Sequence, residues 1–380
     1  MLEVNPGTAR PLLRALAAAL VCAAMAGADE IDYSGYVVGD NARNSVATTS
    51  FSLAKTLWNR TKLLLDVELD QTTVPPLDVV TGASRPQRQS AAEFRKNRGQ
   101  IIGGIDQGIG DNTRLLASYY FSQEVDYHSQ AGVVGITREF LQKNFTVTLR
   151  GQYTLDSVGE ILSDGSIRYQ GKETHQGSLI LTQLLSPTSL IRLGGDGFLN
   201  QGQLGNPYRK LLVPRAGSPV LTDTVSERVP EMRYRQDVWA EFRQYMRAVE
   251  GAFILNYRYY WDDWNLSSHA VSLKLHKYIT PDWVFSPEYR YYEQTAADYG
   301  DYAAGNPDAF ASTDPKLDIL ASHAVQAGLT CYLRTFSRRQ PTWDFLNNSS
   351  LGFLYFHYFN DALPVNYSAD VFLGRIQFTF

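Results

Sequence analysis

Along most of this chain of 380 residues, apolar and polar side chains alternate with a period of two. In one clear segment, Phe145, Val147 and Leu149 alternate with Thr146 and Thr148. Because successive side chains of a β-strand point to opposite sides, each such segment has one apolar face and one polar face. The alternation therefore predicts amphipathic strands, which occur both in soluble β-sandwiches and in membrane β-barrels.

Strand length and loop length favour the membrane barrel. The alternating segments are commonly 11–15 residues long, whereas soluble strands have about 5–6 residues and tilted membrane strands about 9–11. Tight connections also alternate with long ones, and short periplasmic turns with long outer loops are typical of outer-membrane barrels. The long connections are expected at 72–99, 157–172, 201–232 and 295–317.

The predicted fold class is all-β, a transmembrane antiparallel β-barrel with short periplasmic turns and long outer loops. About 16 strands are expected, with 14 as an alternative, and an even number places both termini in the periplasm. The expected strands are 31–39, 45–56, 62–72, 99–109, 113–126, 130–140, 144–156, 173–185, 189–200, 233–246, 250–261, 266–278, 282–295, 318–333, 348–360 and 367–380.

The two ends of the chain also fit an outer-membrane protein. Residues 1–28 have the basic start, short apolar run and small-residue end of a cleaved signal peptide, although a lipoprotein signal at Cys22 is a less favoured alternative. The remaining residues, 29–380, are expected to form a single outer-membrane β-barrel domain. Its last strand ends on Phe380 in an alternating aromatic pattern, so the expected partners are the barrel-assembly machinery and outer-membrane lipid.

Composition excludes two other classes of protein. With 44% hydrophobic and 19% charged residues, the chain is too apolar to be disordered. Its 35 basic residues are outnumbered by 39 acidic ones, so no nucleic-acid partner is expected. The 23 Tyr, 18 Phe and 29 Gly residues suit a membrane barrel averaged over its two faces.

The polar faces of the predicted strands place many charged residues inside the barrel. These lumen candidates are Asp66, Glu68, Arg114, Arg150, Arg192, Asp196, Arg235, Asp237, Glu241, Arg243, Arg258, Glu288 and Arg290, to which Glu124 and Asp262 can be added. They form either a polar conduit that selects solutes or a network of paired charges that braces the barrel. Seven arginines face eight acids in this set, which disfavours a strongly ion-selective pore.

Aromatic and acidic residues cluster at the outer strand ends. The segment from Tyr257 to Trp264 predicts an interfacial aromatic girdle, with sugar stacking as the alternative. Asp262, Asp263, Asp298 and Asp301 could bind Ca²⁺, but without a spaced ligand motif they indicate a solvated acidic rim. No metal and no cofactor are expected.

Catalytic motifs are sparse. His269 has Ser267, Ser268 and Asp262 near it in sequence, and His128 lies near another outer strand end. A hydrolase needs its serine and histidine within hydrogen-bonding distance and an oxyanion hole, and no Gly-x-Ser-x-Gly elbow is present. The sequence therefore predicts that the protein is not an enzyme.

Several strings resemble those of one particular family. They are Asp78-Val-Val-Thr-Gly-Ala-Ser84, Gly197-Phe-Leu-Asn200, Asn206-Pro-Tyr-Arg209, Glu227-Arg-Val-Pro-Glu231, Tyr257-Arg-Tyr-Tyr-Trp-Asp-Asp-Trp264 and Tyr289-Arg-Tyr-Tyr-Glu-Gln-Thr-Ala-Ala-Asp-Tyr299. Together they resemble a bacterial outer-membrane β-barrel family catalogued as domain of unknown function 3570. The resemblance covers essentially the whole of 29–380, and it implies the outer membrane of a Gram-negative bacterium without implying any catalytic residue.

These sequence strings lie at strand ends and in loops, and two roles are open for them. Their side chains either hold the loops packed over or into the barrel mouth, or they form a recognition surface or a constriction. The loop candidates are Asp78, Thr81, Asn206, Tyr208, Arg209, Asp262 and Asp298.

Three functional hypotheses follow. The favoured one is a non-enzymatic barrel that acts as a porin-like channel or as a scaffold for an envelope partner, such as a lipoprotein or a redox protein. The alternative is a surface-binding protein that uses the long outer loops. An outer-membrane hydrolase using His269 or His128 is the least favoured.

Overall fold

A computed structural model describes most of the chain. The described residues are 29–41, 44–58, 60–74, 94–162, 164–214, 221–300, 309–337, 346–360 and 367–379. The expected signal peptide at 1–28 and the loop candidates Asp78 and Thr81 lie outside these residues.

Sixteen of the described strands form a closed antiparallel barrel, in which β1 is hydrogen-bonded to β18. The fold class, the strand count and the antiparallel order predicted from the sequence are thus confirmed. The barrel strands are β1 Glu30–Asp40, β2 Ser45–Leu57, β3 Thr61–Val74, β4 Phe94–Ile109, β5 Thr113–Gln123, β6 Tyr127–Phe140, β7 Phe145–Ile161, β8 Ile167–Ser186, β9 Ser189–Gly202, β12 Met232–Met246, β13 Gly251–Asp262, β14 Ser267–Thr280, β15 Trp283–Gln294, β16 Leu320–Tyr332, β17 Ser350–Asn360 and β18 Tyr367–Thr379.

The two faces of the sheet differ as the alternation predicts. On β3, the apolar side chains of Leu63, Leu65 and Leu69 lie on the exposed outer surface. The side chains between them, including Asp66 and Glu68, point into the barrel lumen, where they are partly buried. Closure pairs every strand on both sides, so the barrel has no free sheet edge.

Most connections at the end of the barrel that carries residue 110 are tight. Gly110 and Glu250 adopt left-handed backbone conformations (φ +61° and +48°), which reverse the chain within a few residues. One connection at this end breaks the predicted pattern of short turns. Between β16 and β17, 17 residues intervene, and they include a short helix, α1, at Arg334–Ser337.

The opposite end, which we call the outer end, carries the long connections, with two differences from expectation. The segment 157–172, predicted as a long loop, is mostly strand, because β7 and β8 continue as a hairpin to a short turn at 162–166. The segment 201–232 was expected to be a loop, but it contains a separate two-stranded sheet formed by β10 (Lys210–Pro214) and β11 (Leu221–Ser226).

Helical structure is minor. The described residues form one four-residue α-helix and three short 3₁₀ turns, at Leu141–Lys143, Arg247–Val249 and Pro315–Leu317. In this part of the chain, no helix is long and apolar enough to cross a membrane.

Candidate functional site

The thirteen charged lumen candidates all lie on the inner face of the barrel, and several of them are paired. On β9 and β12, the Glu241 carboxylate accepts hydrogen bonds from Arg192 Nη1 (3.3 Å) and Arg243 Nε (2.8 Å). The neighbouring Asp196 carboxylate accepts from the Ser178 hydroxyl and from the Trp239 indole N–H (3.4 Å). This wall of the lumen is therefore braced by its own charges.

Further pairs lie on the remaining walls. Arg114 Nη2 lies 2.9 Å from Asp106 Oδ2 on β4, and Arg258 Nη1 lies 3.6 Å from Asp237 Oδ2. Glu288 lies 3.5 Å from Lys274 on β14. These three distances correspond to partly exposed ion pairs, which contribute little to stability individually.

Sequence reasoning missed the basic residues at the start of β4. Arg98 Nη2 contacts Glu68 Oε1 (2.8 Å) and Asp70 Oδ2 (2.6 Å), and Lys96 pairs with Glu124 and Asp126. The predicted strand began at residue 99, so both cations were assigned to a loop. Their even-numbered spacing continues the polar face of β4, and that spacing was the signal that could have placed them in the lumen.

Three of the candidate arginines lack a carboxylate within 4.0 Å among the described residues: Arg150, Arg235 and Arg290. The guanidinium of Arg235 lies over the Phe198 ring (5.1 Å), and that of Arg290 lies near the Tyr292 ring (5.7 Å). Arg150 and Arg290 are exposed although they face inward, so water reaches this part of the lumen. Among the described residues, the Asp66 carboxylate has no hydrogen-bond or ion-pair partner.

The outer loops fold together over the barrel mouth. Trp264, Leu266, Ala297 and Leu317 are buried in one apolar cluster, which brings together the β13–β14 turn and the long β15–β16 connection. The small sheet of β10 and β11 packs Leu211 and Val213 against Ala311 in the same connection. Contacts of this kind give the loops a defined fold above the lumen.

Asp262 and Trp264 differ from expectation. Asp262 was predicted both among the lumen charges and on a solvated acidic rim. Its side chain is buried and accepts hydrogen bonds from Arg233 and Tyr260, which agrees with the first placement and not with the second. Trp264 was predicted to join the interfacial girdle, but it lies inside the mouth with the Arg233 guanidinium 4.2 Å from its ring centre. The turn at 263–266 bends inward, and the sequence pattern alone does not indicate that direction.

The Asn206-Pro-Tyr-Arg string crosses the mouth. Tyr208 Oη donates to Asp126 Oδ2 (2.7 Å) in the β5–β6 connection and accepts from the backbone N–H of Ile161 (3.1 Å) at the end of β7. Arg209 Nη1 donates to Asp314 Oδ2 (2.8 Å), and Asn206 Oδ1 caps the turn by accepting from Tyr208 N (3.0 Å). The string thus fastens the β9–β12 excursion to both sides of the barrel, and we call the Tyr208–Asp126 contact the strap.

Charge and solvation are consistent with an ionised Asp126. Burial raises its pKa, but hydrogen bonds from Lys96 and Tyr208 and the charge of Lys96 outweigh that effect and hold the pKa below its usual range. Burial and the hydrogen bond to Asp126 raise the pKa of Tyr208, so its hydroxyl remains a donor.

Asp298 links the β13–β14 turn to the β15–β16 connection through hydrogen bonds. Its carboxylate accepts from Asn265 Nδ2 (2.6 Å), and its backbone N–H donates to Trp264 O (2.9 Å). Within the described ranges, no group of three or more His, Cys, Asp or Glu residues is arranged to hold a metal ion.

The residues of the hydrolase hypothesis do not meet. His269 lies on the outer surface, where its Nδ1 is 2.8 Å from Tyr257 Oη. Ser268 and Asp262 point into the barrel, and the Ser267 hydroxyl lies 3.4 Å from that of Thr295. His128 is likewise bonded to a tyrosine, Tyr169 (3.1 Å).

Aromatic side chains form a band on the outer surface near the strand ends. Tyr259 stacks on Trp261 (5.4 Å between ring centres), and Tyr289 Oη lies 2.6 Å from His323 Nδ1. Rings with a polar edge are enriched where a membrane meets water. This band is the part of the predicted girdle that faces outward.

A family model described as a protein of unknown function, DUF3570, matches residues 76–377. The chain belongs to the DUF3570 family. The match confirms the resemblance that the loop strings indicated, and it extends from the first long outer connection to the last strand.

Solved structures similar to this DUF3570 protein are outer-membrane barrels. A bacterial polysaccharide outer membrane secretin has 8% identity and a TM-score of 0.51, over 92% of this chain and 98% of its own. The monoaromatic hydrocarbon channel CymD has 10% identity and a TM-score of 0.45, with coverages of 92% and 88%. The ferric enterobactin receptor PfeA of Pseudomonas aeruginosa has 11% identity and a TM-score of 0.46, with coverages of 88% and 54%.

These likenesses concern the fold. The chain spans about half the length of the enterobactin receptors that it matches. No curated protein sequence matches it. The likeness to the outer membrane secretin concerns the fold alone.

Proposed function

We propose that this DUF3570 barrel lies in the outer membrane of a Gram-negative bacterium and acts there as a non-enzymatic, porin-like channel for small polar solutes. Its outer surface supports the location, because exposed leucines such as Leu65 and Leu149 and a band of tyrosines face outward. Apolar surface of this extent is favourable in lipid and unfavourable in water.

The observation that carries the channel proposal is the water-accessible charge inside the barrel. Arg150, Arg258 and Arg290 point inward and are exposed, so the lumen beside them is hydrated rather than filled by packed side chains. A barrel of about 16 strands is wide enough for an aqueous channel unless loops close it. The inner face therefore supports a polar path.

The folded outer loops set the size of that path. The strap and the Arg209–Asp314 pair hold the β9–β12 excursion across the mouth, and ion pairs such as Arg192–Glu241 narrow the lumen below it. We therefore expect a small conductance in the native protein and a larger one when the excursion is shortened.

Planar-bilayer recording of the purified protein tests the proposal. The backbone N–H of Glu227 donates to Arg209 O (3.1 Å), so residues 210–226 can be replaced by a short Gly-Ser turn that joins two adjacent positions. We expect stable current steps from the native protein and larger steps from the shortened variant. A matched control with Gly-Ser-Gly in place of Leu141–Lys143, a turn at the opposite end of the barrel from the strap, should conduct like the native protein.

If neither the native protein nor the shortened variant conducts, the channel proposal is wrong. Co-purification of an envelope lipoprotein or redox protein would then favour the scaffold hypothesis. Surface binding that disappears when 210–226 is shortened would favour the alternative in which the outer loops bind a ligand.

A further inference from the structure

A cavity of about 510 Å³ lies beneath the loops, between the inner faces of β12 to β17. Its charged lining is strongly unequal in sign, with Asp237 as the one carboxylate residue among those that line it. The basic residues of the lining are Arg233, Arg235, Arg258, Arg290 and Lys316. Elsewhere on the described inner face, basic residues such as Arg98, Arg114, Arg192 and Arg243 lie beside carboxylates.

Two of the five cations in the cavity are neutralised by acids. Arg233 Nε donates to Asp262 Oδ2 (2.9 Å), and Arg258 lies 3.6 Å from Asp237. Arg235, Arg290 and Lys316 have no carboxylate within 4.0 Å among the described residues. The cavity therefore carries an excess of about three positive charges, in a place where low-dielectric walls strengthen electrostatic attraction.

One of these cations also has an unused hydrogen-bond donor. The Nε atom of Arg235 is buried and has no hydrogen-bond partner. A buried donor without an acceptor is costly, and native proteins seldom leave one unpaired without a functional reason. A bound acceptor group would remove that cost.

The other two cations are held in position by their surroundings. Arg290 lies near the Tyr292 ring, whose hydroxyl donates to Gln294 Oε1 (2.6 Å). Gln294 Nε2 in turn donates to the backbone oxygen of Lys316 (2.9 Å), which fixes the 3₁₀ turn that carries Lys316 over the cavity. Positively charged groups from a strand and from a loop thus converge on one space.

We propose that this cavity binds a small organic anion that carries carboxylate or phosphate groups. Arginine side chains pair with both kinds of group through two parallel hydrogen bonds. The rest of the lining combines the polar side chains of Ser268, Gln294 and Ser322 with aromatic and apolar ones, including Tyr260, Tyr358, Leu266 and Leu320. The aromatic and apolar part suits a hydrocarbon group rather than a bare inorganic ion. A volume of about 510 Å³ lies in the range of small-molecule sites.

This inference rests on the proposed function, because an anion site in the lumen would select solutes for a channel. The two can nevertheless be tested apart, since binding is measurable whether or not the barrel conducts. Isothermal titration calorimetry on the detergent-purified protein would use phthalate as the anionic probe and phthalamide as its neutral counterpart.

The variants are Arg290→Gln and Lys316→Gln, both at exposed side chains whose loss leaves the sheet intact. Arg150→Gln is the matched control, because it removes one inward, exposed and unpaired arginine outside the cavity. Phthalate should bind the native protein, and either cavity variant should weaken it about tenfold, as expected for the loss of one charge-assisted hydrogen bond. Arg150→Gln should bind phthalate as the native protein does, and binding should weaken as salt is added.

Absence of phthalate binding to the folded native protein would overturn the inference. So would equal binding of phthalamide, or an equal loss of affinity in Arg150→Gln and Arg290→Gln. A native protein that conducts in bilayers but fails this titration would leave the channel proposal standing without the anion site. A protein that binds phthalate but never conducts would leave the site standing without the channel.

Discussion

At the scale of single residues, the Asp262 carboxylate joins three parts of the outer end. It accepts hydrogen bonds from Arg233 on β12, from Tyr260 on its own strand (2.7 Å) and from the backbone N–H groups of Trp264 (2.9 Å) and Leu266 (3.1 Å). Its burial would be unfavourable without these donors. The inward bend of the 263–266 turn depends on this one group.

We therefore predict that Asp262→Asn destabilises the folded barrel by about 3 kcal/mol, because it leaves the positive charge of Arg233 buried without its partner. Urea titration of the protein in detergent micelles measures the change. Asp263→Asn is the matched control, since its exposed carboxylate accepts a single backbone hydrogen bond, from Tyr234. Equal effects of the two substitutions would contradict the role assigned to Asp262.

For single residues, the sequence predicted correctly which side chains point into the barrel, but it did not predict which charged side chains pair with one another. The strand period correctly put Arg235 and Arg290 on the inner face, because that period is a local property of the backbone. The pairing of Arg98 with Glu68 depends on how β3 and β4 register, which the period does not determine. Trp264 was assigned to the outer girdle for a similar reason, since nothing local shows which way the turn at 263–266 bends.

Among the secondary-structure elements, the strap connects the β9–β12 excursion to the β5–β6 connection. Because the pKa of Asp126 is lowered in the folded protein, the stability that its ionised carboxylate contributes is fully present above the ordinary value of 3.8. That contribution is lost as the pH falls through the lowered folded pKa. The strap should therefore hold from neutral pH down to about 4 and weaken only in stronger acid.

Hydrogen exchange of the Ile161 amide, which donates to Tyr208 Oη, tests this prediction. Once corrected for intrinsic rates, its protection should be constant between pH 7 and about 4 and fall in stronger acid. Asp126→Asn should remove that pH dependence. Asp164→Asn, at an outer-loop carboxylate bonded to Ser166 and not to Tyr208, should leave it in place. A decline already between pH 7 and 5 in the native protein would contradict the assignment.

Elements differed in how far the sequence could predict them. All sixteen barrel strands were found, since each needs a lipid-facing period of two along its length. The hairpin of β10 and β11 was not found, because Leu211-Leu-Val213 is a continuous apolar run that packs against Ala311 rather than against lipid. The outer ends of the β7–β8 hairpin were also misplaced, since β7 ends at Ile161 rather than at 156 and β8 begins at Ile167 rather than at 173.

At the scale of the whole molecule, closure of the barrel unites the two ends of the chain. β1 pairs with β18 along its full length, and Arg375 Nε donates to Asp32 Oδ2 (2.6 Å) across the seam. In a closed barrel of this type, the backbone hydrogen-bonding groups of every strand are paired with both neighbouring strands. We therefore expect the barrel to unfold cooperatively.

We predict that the folded protein migrates faster on SDS gels when unheated than after boiling, with a circular dichroism spectrum dominated by strand. Deletion of 367–380 should abolish the fast-migrating form, because it removes the partner of both β1 and β17. A full-length protein that shows no shift and a mainly helical spectrum would contradict the closed barrel.

The closed barrel also explains the overall hydrophobic content and net charge of the chain. The 44% hydrophobic content averages an apolar outer surface with a charged inner one, and the net charge of −4 results from acids and bases interleaved along the lumen. Neither the hydrophobic content nor the net charge, taken over the whole chain, is distinctive of a membrane protein. Only the alternation from one residue to the next distinguishes the apolar outer face from the charged inner face.

Cysteine labelling in outer-membrane vesicles measures whether neighbouring residues of one barrel strand face lipid and water in turn. In a Cys331→Ser background, single cysteines would replace Leu149, Arg150, Tyr289 and Arg290. We expect a membrane-impermeant maleimide to label Arg150→Cys and Arg290→Cys rapidly, because thiols react through the thiolate in water. Leu149→Cys and Tyr289→Cys should react only after denaturation, and equal labelling within either pair in the folded protein would contradict the account.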